Sequence, residues 1–486
     1  MPTRREFLRT AALCALAPDV RAAKSEIWVN DVHSQLNQTR VRALLTPRTE
    51  EELIDAVRSS ARQGTSIAVS GCRHSMGGQQ FLSDGICIDT RKLNRVVRFD
   101  RERGLLEIEA GMQWPALLQS YLDAQRDSKK QWGIAQKQTG ADSFTLGGSL
   151  SSNVHGRGLT MKPFIADVEA FTLVNAEGSL VRCSRQENEE LFRTAIGGYG
   201  LLGIISTVIL RLVPRQKLRR VVELMEAKEM PDQFAERIKK GFVYGDFQFS
   251  VDEKSADFMN RGVFSCYEPA GDDVEIAAAK TLRDDDWLDL LGLAYTDRAH
   301  AFQRYADFYL STNNQTYWSD THQLSAYLPN YAEKLRPRIG GANSSSLIIT
   351  EIYVPRPRLV DFLAEAAGLM KEGKTPIIYG TVRLIEKDEE SLLAWARQPY
   401  ACIIFNLLTA HTPEGKENSK KAFCALIDLA AARGGSFYLT YHRFATRQQV
   451  TAAYPQFSRF LDLKKQYDPQ ERFQSDWYRH YAKLFA

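Results

Sequence analysis

The sequence lacks the features that mark several large classes of protein. It contains no block of charges of one sign, no internal repeat and no low-complexity segment. Lysine and arginine total 63 against 59 aspartates and glutamates, so the net charge of +4 points to no nucleic-acid partner. Seven scattered cysteines form no CxxC pair and no zinc spacing, so we expect neither a disulfide scaffold nor a metal site, but small buried side chains.

The composition that is present is that of a folded globular protein. Of its 486 residues, 44% are apolar and 25% are charged, which excludes disorder, collagen and coiled coil as the main architecture. A chain of this length holds two or three domains and buries a large core.

The first 23 residues resemble an export signal rather than part of the fold. Arg4 and Arg5 lie in the motif TRREFL, which a short apolar run and two alanines follow. The run is far below the ~20 residues that span a bilayer, so no transmembrane segment is expected. TRREFL resembles the twin-arginine signal, which exports folded proteins. We therefore expect a periplasmic or otherwise exported chain that starts near Lys24 and binds a cofactor.

Alternating strand and helix patterns predict an α+β protein. We place a first unit over residues 24–215 and a second over residues 216–430, followed by an aromatic-rich segment over residues 431–486. Within the second unit, the spacing of apolar residues predicts helices at 358–372 and 389–397.

One glycine motif is excluded as a Rossmann site. Residues 198–203 read G-x-G-x-x-G, but a predicted helix precedes them and a predicted strand follows. A Rossmann fingerprint requires the opposite order, because the pyrophosphate sits at the start of the helix. The motif therefore predicts a tight turn between helix and strand.

Two other glycine-rich loops are candidates for a binding site. The first, GCRHSMGG at 71–78, directly follows a predicted strand, and its glycines allow backbone N–H groups to form an anion nest. Arg73 adds charge and Ser75 adds a hydroxyl. The second, TLGGSLSSNVHGRG at 145–158, is too rich in glycine and hydroxyls to be core. Two such loops suit a ligand with two phosphates and a long body, such as a dinucleotide.

These loops, together with GGYGLLGIISTVILRLVP, resemble the FAD-binding signatures of the vanillyl-alcohol oxidase superfamily. The tail YPQFSRFLDLKKQYDPQERFQSDWY is similar to the end of its sugar-lactone and alditol oxidase branch, which includes the D-arabinono-1,4-lactone oxidases. The resemblance covers about 45–215 and 345–480.

The resemblance implies a two-subdomain FAD-binding domain, a cap domain for substrate, and a C-terminal segment that returns to the flavin site. It also implies that FAD contacts Gly71, Arg73, His74, Ser75, Gly77, Gly78, Thr145, Gly147, Gly148, Ser151, Asn153, His155, Gly198, Gly203 and Ile204.

Two residues near the flavin leave alternatives open. His74 occupies the position that bonds covalently to the flavin 8α-methyl in several members, whereas in others the residue only hydrogen-bonds within its loop. Val154 precedes His155-Gly156, where a small side chain favours reaction with O₂. A branched valine favours another electron acceptor, unless it packs away from the flavin.

The substrate end is predicted from polar residues inside apolar strands. Glu351 and Tyr353 alternate onto one face of a strand, and a carboxylate there is costly unless it is used or paired. Relatives carry Glu-x-Arg here, so Tyr353 leaves the substrate preference open. Arg383 is the candidate cation, with a buried ion pair to Glu351 as the alternative.

A third candidate catalytic residue lies in the C-terminal segment. Tyr441 and His442 match an aromatic-His stretch near the flavin in relatives, and the ordinary pKa of histidine suits a general base. Tyr317, Trp318 and His322 are further candidates for the pocket wall, without a spacing argument.

We therefore predict an exported FAD-dependent oxidoreductase with Glu351, Arg383 and His442 as its catalytic residues. It would oxidise a CH–OH group of a sugar lactone, polyol or similar compound by hydride transfer to flavin N5. O₂ or another acceptor would reoxidise the flavin. The alternatives are a dehydrogenase of another hydroxylated compound and a non-catalytic FAD-binding relative.

Overall fold

A computed structural model describes residues 26–276, 278–325, 328–340 and 344–486. The predicted export signal and the start of the mature chain lie outside these residues. Within them, no helix is both long and apolar enough to cross a membrane.

The helices and strands follow the predicted α+β pattern. The strands are β1 Ile27–Val29, β2 Thr39–Val41, β3 Ala43–Leu45, β4 Ile67–Ser70, β5 Ile86–Asp89, β6 Val96–Asp100, β7 Leu105–Glu109, β8 Trp132–Gly133, β9 Val168–Val174, β10 Leu180–Ser184, β11 Ile204–Arg211, β12 Val213–Pro214, β13 Lys217–Glu226, β14 Tyr244–Phe249, β15 Arg261–Pro269, β16 Thr316–Trp318, β17 Ser345–Pro355, β18 Ile377–Ile385, β19 Tyr400–Ala410 and β20 Ser436–Phe437. The helices are α1 Glu50–Arg62, α2 Trp114–Ala124, α3 Leu146–Ser151, α4 Glu189–Ala195, α5 Met230–Lys239, α6 Asp284–Thr296, α7 Arg298–Leu310, α8 Tyr331–Ile339, α9 Leu359–Gly373, α10 Pro413–Ala431, α11 Arg447–Ala453, α12 Phe457–Tyr467 and α13 Asp476–Phe485.

The N-terminal region is built on two sheets. A parallel sheet has the order β3-β5-β4, and an antiparallel sheet has the order β10-β9-β11-β7-β6. Helix α1 starts where the Thr49 side chain accepts a hydrogen bond from the Glu52 N–H. It buries Leu53 and Val57 in a small core with residues of β4 and β5. The first glycine loop leaves directly from the end of β4.

The second region is an eight-stranded sheet with the order β16-β13-β15-β14-β18-β19-β17-β20. Strands β17 and β19 pair along their whole length, from Ser345 opposite Ala410 to Pro355 opposite Tyr400. Helices α9 and α10 pack on each other and on β17, and α10 also packs on β19. Because side chains alternate across a strand, the opposite face of this sheet is left for other contacts.

The C-terminal segment returns to both regions. It supplies β20 to the edge of the eight-stranded sheet. Farther along, the Ile67 N–H donates to the Arg472 carbonyl over 2.7 Å, and the Gln474 N–H donates to the Ile67 carbonyl over 2.8 Å. The Met76 N–H in the first glycine loop donates to the Thr440 carbonyl over 3.2 Å. The segment therefore joins β4, the first loop and the large sheet.

Two elements differ from prediction. The second glycine loop is partly helical, because Thr145 accepts a hydrogen bond from the Gly148 N–H and begins α3. The helix predicted at 389–397 is wrong, since these residues form turns. The Asp388 carboxylate accepts the N–H groups of Glu390 at 2.9 Å and Ser391 at 3.0 Å, and such side-chain bonds compete with a helix.

Asn153 holds this turn segment against the second glycine loop. Its Nδ2 donates to Asp388 Oδ2 over 2.9 Å, its Oδ1 accepts the Ile165 N–H over 3.0 Å, and its carbonyl accepts Trp395 Nε1 over 3.0 Å. The side chain predicted to bind FAD therefore joins the two regions.

We expect Asn153→Ala to lower the free energy of unfolding by about 2–4 kcal/mol, because two buried hydrogen bonds lose their partner. FAD content per folded molecule should stay unchanged. Chemical denaturation and flavin absorbance measure the two quantities, with exposed Asn94→Ala as control. Loss of flavin at unchanged stability would instead make Asn153 a cofactor ligand.

Candidate active site

A cavity of about 940 Å³ lies between the glycine loops and the exposed face of the large sheet. Residues 71–76 and the stretch 138–155 form one wall, and the sheet face carrying Glu351 and Arg383 forms another. Residues between 276 and 331 complete it, including the predicted wall residues Tyr317, Trp318 and His322.

The loops at one end of the cavity approach each other too closely for side chains. A Cβ on Gly71 would lie 2.1 Å from Thr145 Oγ1, and one on Gly147 would lie 2.9 Å from the Cβ of Ala110. Gly203 has φ +150° and would place a Cβ 2.8 Å from the Val174 carbonyl oxygen. This end is therefore a cleft bounded largely by backbone, which suits a phosphate-bearing ligand.

Arg73 adds a half-buried cation to this end. It takes a positive φ of +62° and lines the cavity. Its Nε is buried and has no hydrogen-bond partner among the described residues. A buried guanidinium atom without a partner is costly, and a ligand phosphate would satisfy it.

His74 also lines the cavity, with its ring stacked on Phe144 at 4.1 Å between centroids. Its Nε2 lies 3.1 Å from the Ser143 carbonyl oxygen. Burial, with a contribution from nearby His33, lowers the pKa of His74 to about 3. The imidazole is therefore neutral at physiological pH, the form in which a ring nitrogen acts as a nucleophile.

The structure places the predicted residues in two groups. Those that line the cavity are Gly71, Arg73, His74, Ser75, Thr145, Gly147, Gly148, Ser151, His155, Gly203, Glu351 and Arg383. Those that are not part of its wall are Gly77, Gly78, Asn153, Gly198, Ile204 and His442.

The glycines outside the wall serve packing instead. A Cβ on Gly77 would lie 2.5 Å from the Tyr441 carbonyl oxygen, and one on Gly198 would lie 2.4 Å from the Thr194 carbonyl oxygen. Ile204 lies in the small core under α1. The turn at 198–203 nevertheless reaches the cavity through Tyr199 and Gly203.

At the other end of the cavity, Glu351 is held between two side chains. One carboxylate oxygen, Oε1, makes a short contact with His155 Nε2. The other, Oε2, accepts the Tyr441 hydroxyl over 3.2 Å. Glu351 is 3% exposed, so it faces the cavity rather than bulk solvent.

His155 lies between Glu351 and the backbone of its own loop. Its Nδ1 lies 3.0 Å from the Gly156 carbonyl oxygen, and its Nε2 contacts Oε1 of Glu351. Burial alone raises the pKa of Glu351, but the charge and hydrogen bond of His155, with the charge of Arg383, outweigh burial and lower it. Glu351 is therefore a carboxylate that can accept a hydrogen bond from a ligand.

Arg383 is a buried cation open to the cavity. It is 8% exposed, and its Nε has no hydrogen-bond partner among the described residues. The alternative predicted for it, an ion pair with Glu351, is not found: within the described ranges no carboxylate oxygen lies within 4.0 Å of its guanidinium. Arg383 can therefore stabilise negative charge on a ligand.

His442 and Tyr353 differ from their predicted places. The His442 ring stacks on Phe444 at 4.6 Å and does not line the cavity, whereas Tyr441, one residue earlier, reaches Glu351. Tyr353 stacks on Trp395 at 4.6 Å in the aromatic core. Neither side chain is part of the cavity wall, so the catalytic role of His442 stays a prediction that this geometry does not favour.

Several residues of the wall were missed from the sequence. Asp246, Gln248, Tyr379 and Asn406 lie on the cavity face of the large sheet, with Arg157 and Arg220 near its far end. Asp246 and Asn406 lie inside apolar strands, so the signal that identified Glu351 and Arg383 applies to them as well.

One set of metal-ligating atoms lies together among the described residues. Atoms of His155, Glu351 and Cys402 all lie within 4.8 Å of one another. A metal would have to displace the contact between His155 and Glu351, and burial holds the pKa of the Cys402 thiol well above its usual range. We assign no metal to this site.

Comparison with known proteins finds an FAD binding domain and several similar enzymes. Residues 41–184 match the FAD binding domain. L-gulonolactone oxidase of Mus musculus is 23% identical over 88% of this chain and 92% of its own length. L-gulono-1,4-lactone dehydrogenase of Mycobacterium tuberculosis is 23% identical over 94% of this chain and 99% of its own length. L-gulonolactone oxidase of Bos taurus is 32% identical, but over 40% of this chain and 42% of its own length.

The position of His442 predicts a pH dependence of stability rather than of activity. Burial, with Arg443 and Lys416, lowers its pKa to about 4 against the attraction of Asp31. Between pH 6.5 and about 4 the unfolded chain therefore binds one more proton than the folded chain, and stability falls as the pH falls.

We expect His442→Gln to reduce this slope by up to about 1.4 kcal/mol per pH unit. Denaturation between pH 4.5 and 6.5 measures it, with exposed His300→Gln as the control. An unchanged slope in His442→Gln would contradict the lowered pKa of His442. Flavin reduction slowed ~10²-fold in the same variant would instead support the catalytic role predicted from the sequence.

Proposed function

Because the chain belongs to the sugar-lactone oxidase branch of the vanillyl-alcohol oxidase superfamily and its cofactor is FAD, we propose that it oxidises a CH–OH group of a sugar lactone or a similar hydroxylated compound. The single observation that carries this proposal is the Glu351 carboxylate, buried in the wall of the same cavity as the glycine loops.

The residues present fit FAD. Backbone of the two loops, together with Arg73, would hold the phosphates, since closely packed glycines leave N–H groups and no side chains at the cleft. When bound, FAD supplies an acceptor for the hydride of the substrate carbon at N5. The chain's own task is to orient the substrate and to take up the hydroxyl proton.

In this proposal Glu351 performs that task. Its Oε2 accepts a hydrogen bond from Tyr441 and offers a second lone pair to a substrate hydroxyl in the cavity. The proton would pass to the carboxylate, whose charge His155 supports from the other side. Arg383 would stabilise the negative charge that develops as the proton leaves.

A second candidate function concerns the electron acceptor. Val154 lines the cavity, which favours a dehydrogenase that passes electrons to a dye- or quinone-like carrier rather than to O₂. The relative from Mycobacterium tuberculosis is named a dehydrogenase, whereas the mouse relative is named an oxidase. Reoxidation rates of the reduced protein with aerated buffer and with a quinone distinguish the two.

The proposal is tested with Glu351→Gln. Glutamine keeps the size and a hydrogen-bond acceptor for His155 but removes the charge. We expect the yellow colour to survive and anaerobic reduction of the flavin by sugar lactones or polyols to slow by at least ~10²-fold. Stopped-flow absorbance measures the rate. Glu390→Gln, which removes a carboxylate paired with Arg185 away from the cavity, is the matched control.

Two results would contradict this proposal. If none of the sugar lactones or polyols tested reduces the wild-type flavin, the chain does not have the proposed activity. If Glu351→Gln loses stability but reduces its flavin at a near-normal rate per folded molecule, Glu351 is a structural partner of His155.

The neutral, buried imidazole of His74 supports a covalent bond to FAD. Acid-denatured wild-type protein should then show flavin fluorescence in its gel band, and His74→Ala should not. The variant should still bind FAD non-covalently, because the glycine loops remain. His33→Ala removes another histidine of the same wall and should keep the fluorescence. A wild-type band without fluorescence shows that the flavin is not covalently attached.

A further inference from the structure

A second carboxylate faces the cavity far from Glu351. Asp246 on β14 is 5% exposed and lines the cavity. In the part of the chain that the structure describes, its nearest cation is Arg157, with 3.8 Å between Nη1 and Oδ2. That separation is too long for a hydrogen bond, so the carboxylate has no direct donor there.

Two neighbouring residues hold the Arg157 side chain in place. Its Nη2 donates to the His322 carbonyl over 2.8 Å, and its guanidinium lies 5.0 Å from the Tyr267 ring. Its Nε is buried without a hydrogen-bond partner in the described ranges. Asp246 and Arg157 thus present an acceptor and a donor side by side, each incompletely satisfied.

Asp246 and Glu351 lie on strands that are separated by two other strands of the sheet. Gln248 of β14 pairs with Thr381 of β18, which pairs with Ile404 of β19, which pairs with Glu351 of β17. Strands lie about 4.8 Å apart, so the backbones at Asp246 and Glu351 are on the order of 15 Å apart on one face. A ligand that touches both side chains must be several carbons long.

We infer that Asp246 and Arg157 form a second binding subsite, which takes hydroxyl groups of a neutral, polyhydroxylated substrate at the end remote from the reacting carbon. One hydroxyl donates to the Asp246 carboxylate, and an adjacent oxygen accepts from Arg157. The inference rests on the proposed function, because it names the class of substrate for the Glu351 site.

The hydrogen-bonding groups of the subsite, rather than its net charge, favour a neutral substrate end over an acidic one. Arg220, the other arginine near this end, already donates to neutral partners, to the Tyr267 hydroxyl over 2.8 Å and to Thr312 Oγ1 over 3.0 Å. A substrate carboxylate would approach Asp246, and like charges at a buried site repel. A hydroxyl donates and accepts at once, which matches an acceptor beside a donor.

The test compares long and short substrates in matched variants. The probes are L-gulono-1,4-lactone, 2-hydroxy-γ-butyrolactone, alditols of three to six carbons, and L-gulonate as the acidic probe. Each probe is tested with the FAD-loaded wild-type protein and with the FAD-loaded variants Asp246→Ala, Arg157→Gln and Ser265→Ala. Ser265 lies opposite Asp246 on β15 but outside the cavity wall, so its variant controls for packing at the same position of the sheet.

For the wild type we expect kcat/KM for flavin reduction to rise with the number of hydroxylated carbons, and gulonate to reduce the flavin at least ten-fold less efficiently than its lactone. Asp246→Ala and Arg157→Gln should lower the ratio of long to short substrate at least ten-fold, through KM. The kcat/KM for short substrates should be the same in these variants as in the wild type, and Ser265→Ala should keep the wild-type ratio. Flavin absorbance and thermal melting confirm that each variant is folded, and Asp246→Asn, which keeps an acceptor oxygen, should recover part of the ratio.

The outcomes separate this inference from the proposed function. If wild type is reduced but Asp246→Ala keeps the wild-type ratio, or if gulonate is preferred, the subsite is wrong and the function stands. If Asp246→Ala does not fold, the ratio in Arg157→Gln decides in the same way. If no probe reduces the wild-type flavin, the proposed function fails and the subsite fails with it.

Discussion

The structure depends on charged groups that are buried on one face of the large sheet. Asp246, Arg383 and Glu351 lie on three strands of this sheet, and none of the three is exposed to bulk water. Buried charges are tolerated only when they are paired or face a polar ligand. Glu351 meets the first condition through His155, and Arg383 depends on the second. The glycine loops lie over this face. The need to satisfy buried charges therefore affects both the packing of the protein and the chemistry of the cavity.

Closely packed glycines bring backbone to one end of the opposite wall. Gly71 and Gly147 allow two loops and their neighbouring strands to approach so closely that a methyl group has no room. The C-terminal segment adds a third layer, with Thr440 bonded to the first loop and Tyr441 bonded to Glu351. Three distant stretches of chain are therefore needed to make one cavity.

Much of the fold could be predicted from the sequence, because strands and helices have local signals in the spacing of apolar residues and in the residues at their ends. The helix predicted at 358–372 is observed at Leu359–Gly373, and the turn predicted at 198–203 joins the helix Glu189–Ala195 to the strand Ile204–Arg211. The segment 389–397 was not predicted correctly, since its turns are fixed by Asp388 and by contacts with Asn153, which is 235 positions away. Helical periodicity carries no information about such a partner.

The candidate site was readable in part, for a related reason. Glu351 and Arg383 were found because charge inside an apolar strand is conspicuous, and Asp246 carried the same signal without being recognised. The direction of a side chain in an irregular segment is not conspicuous. His442 and Tyr441 are adjacent in the sequence, but Tyr441 contacts Glu351 whereas His442 stacks on Phe444. The contact between His155 and Glu351 joins residues 196 positions apart and has no local signature.

The return of the C-terminal segment has a consequence for the order of events during synthesis. Ser66, directly before the strand that leads into the first glycine loop, donates its hydroxyl hydrogen to the Glu471 carbonyl, and these residues are 405 positions apart. A ribosome has made both glycine loops long before it reaches Tyr441 or Glu471. On the nascent chain the cleft therefore lacks one of its walls, and loop closure over such a distance is slow. The complete cleft therefore forms only after the segment that carries Tyr441 and Glu471 has been made.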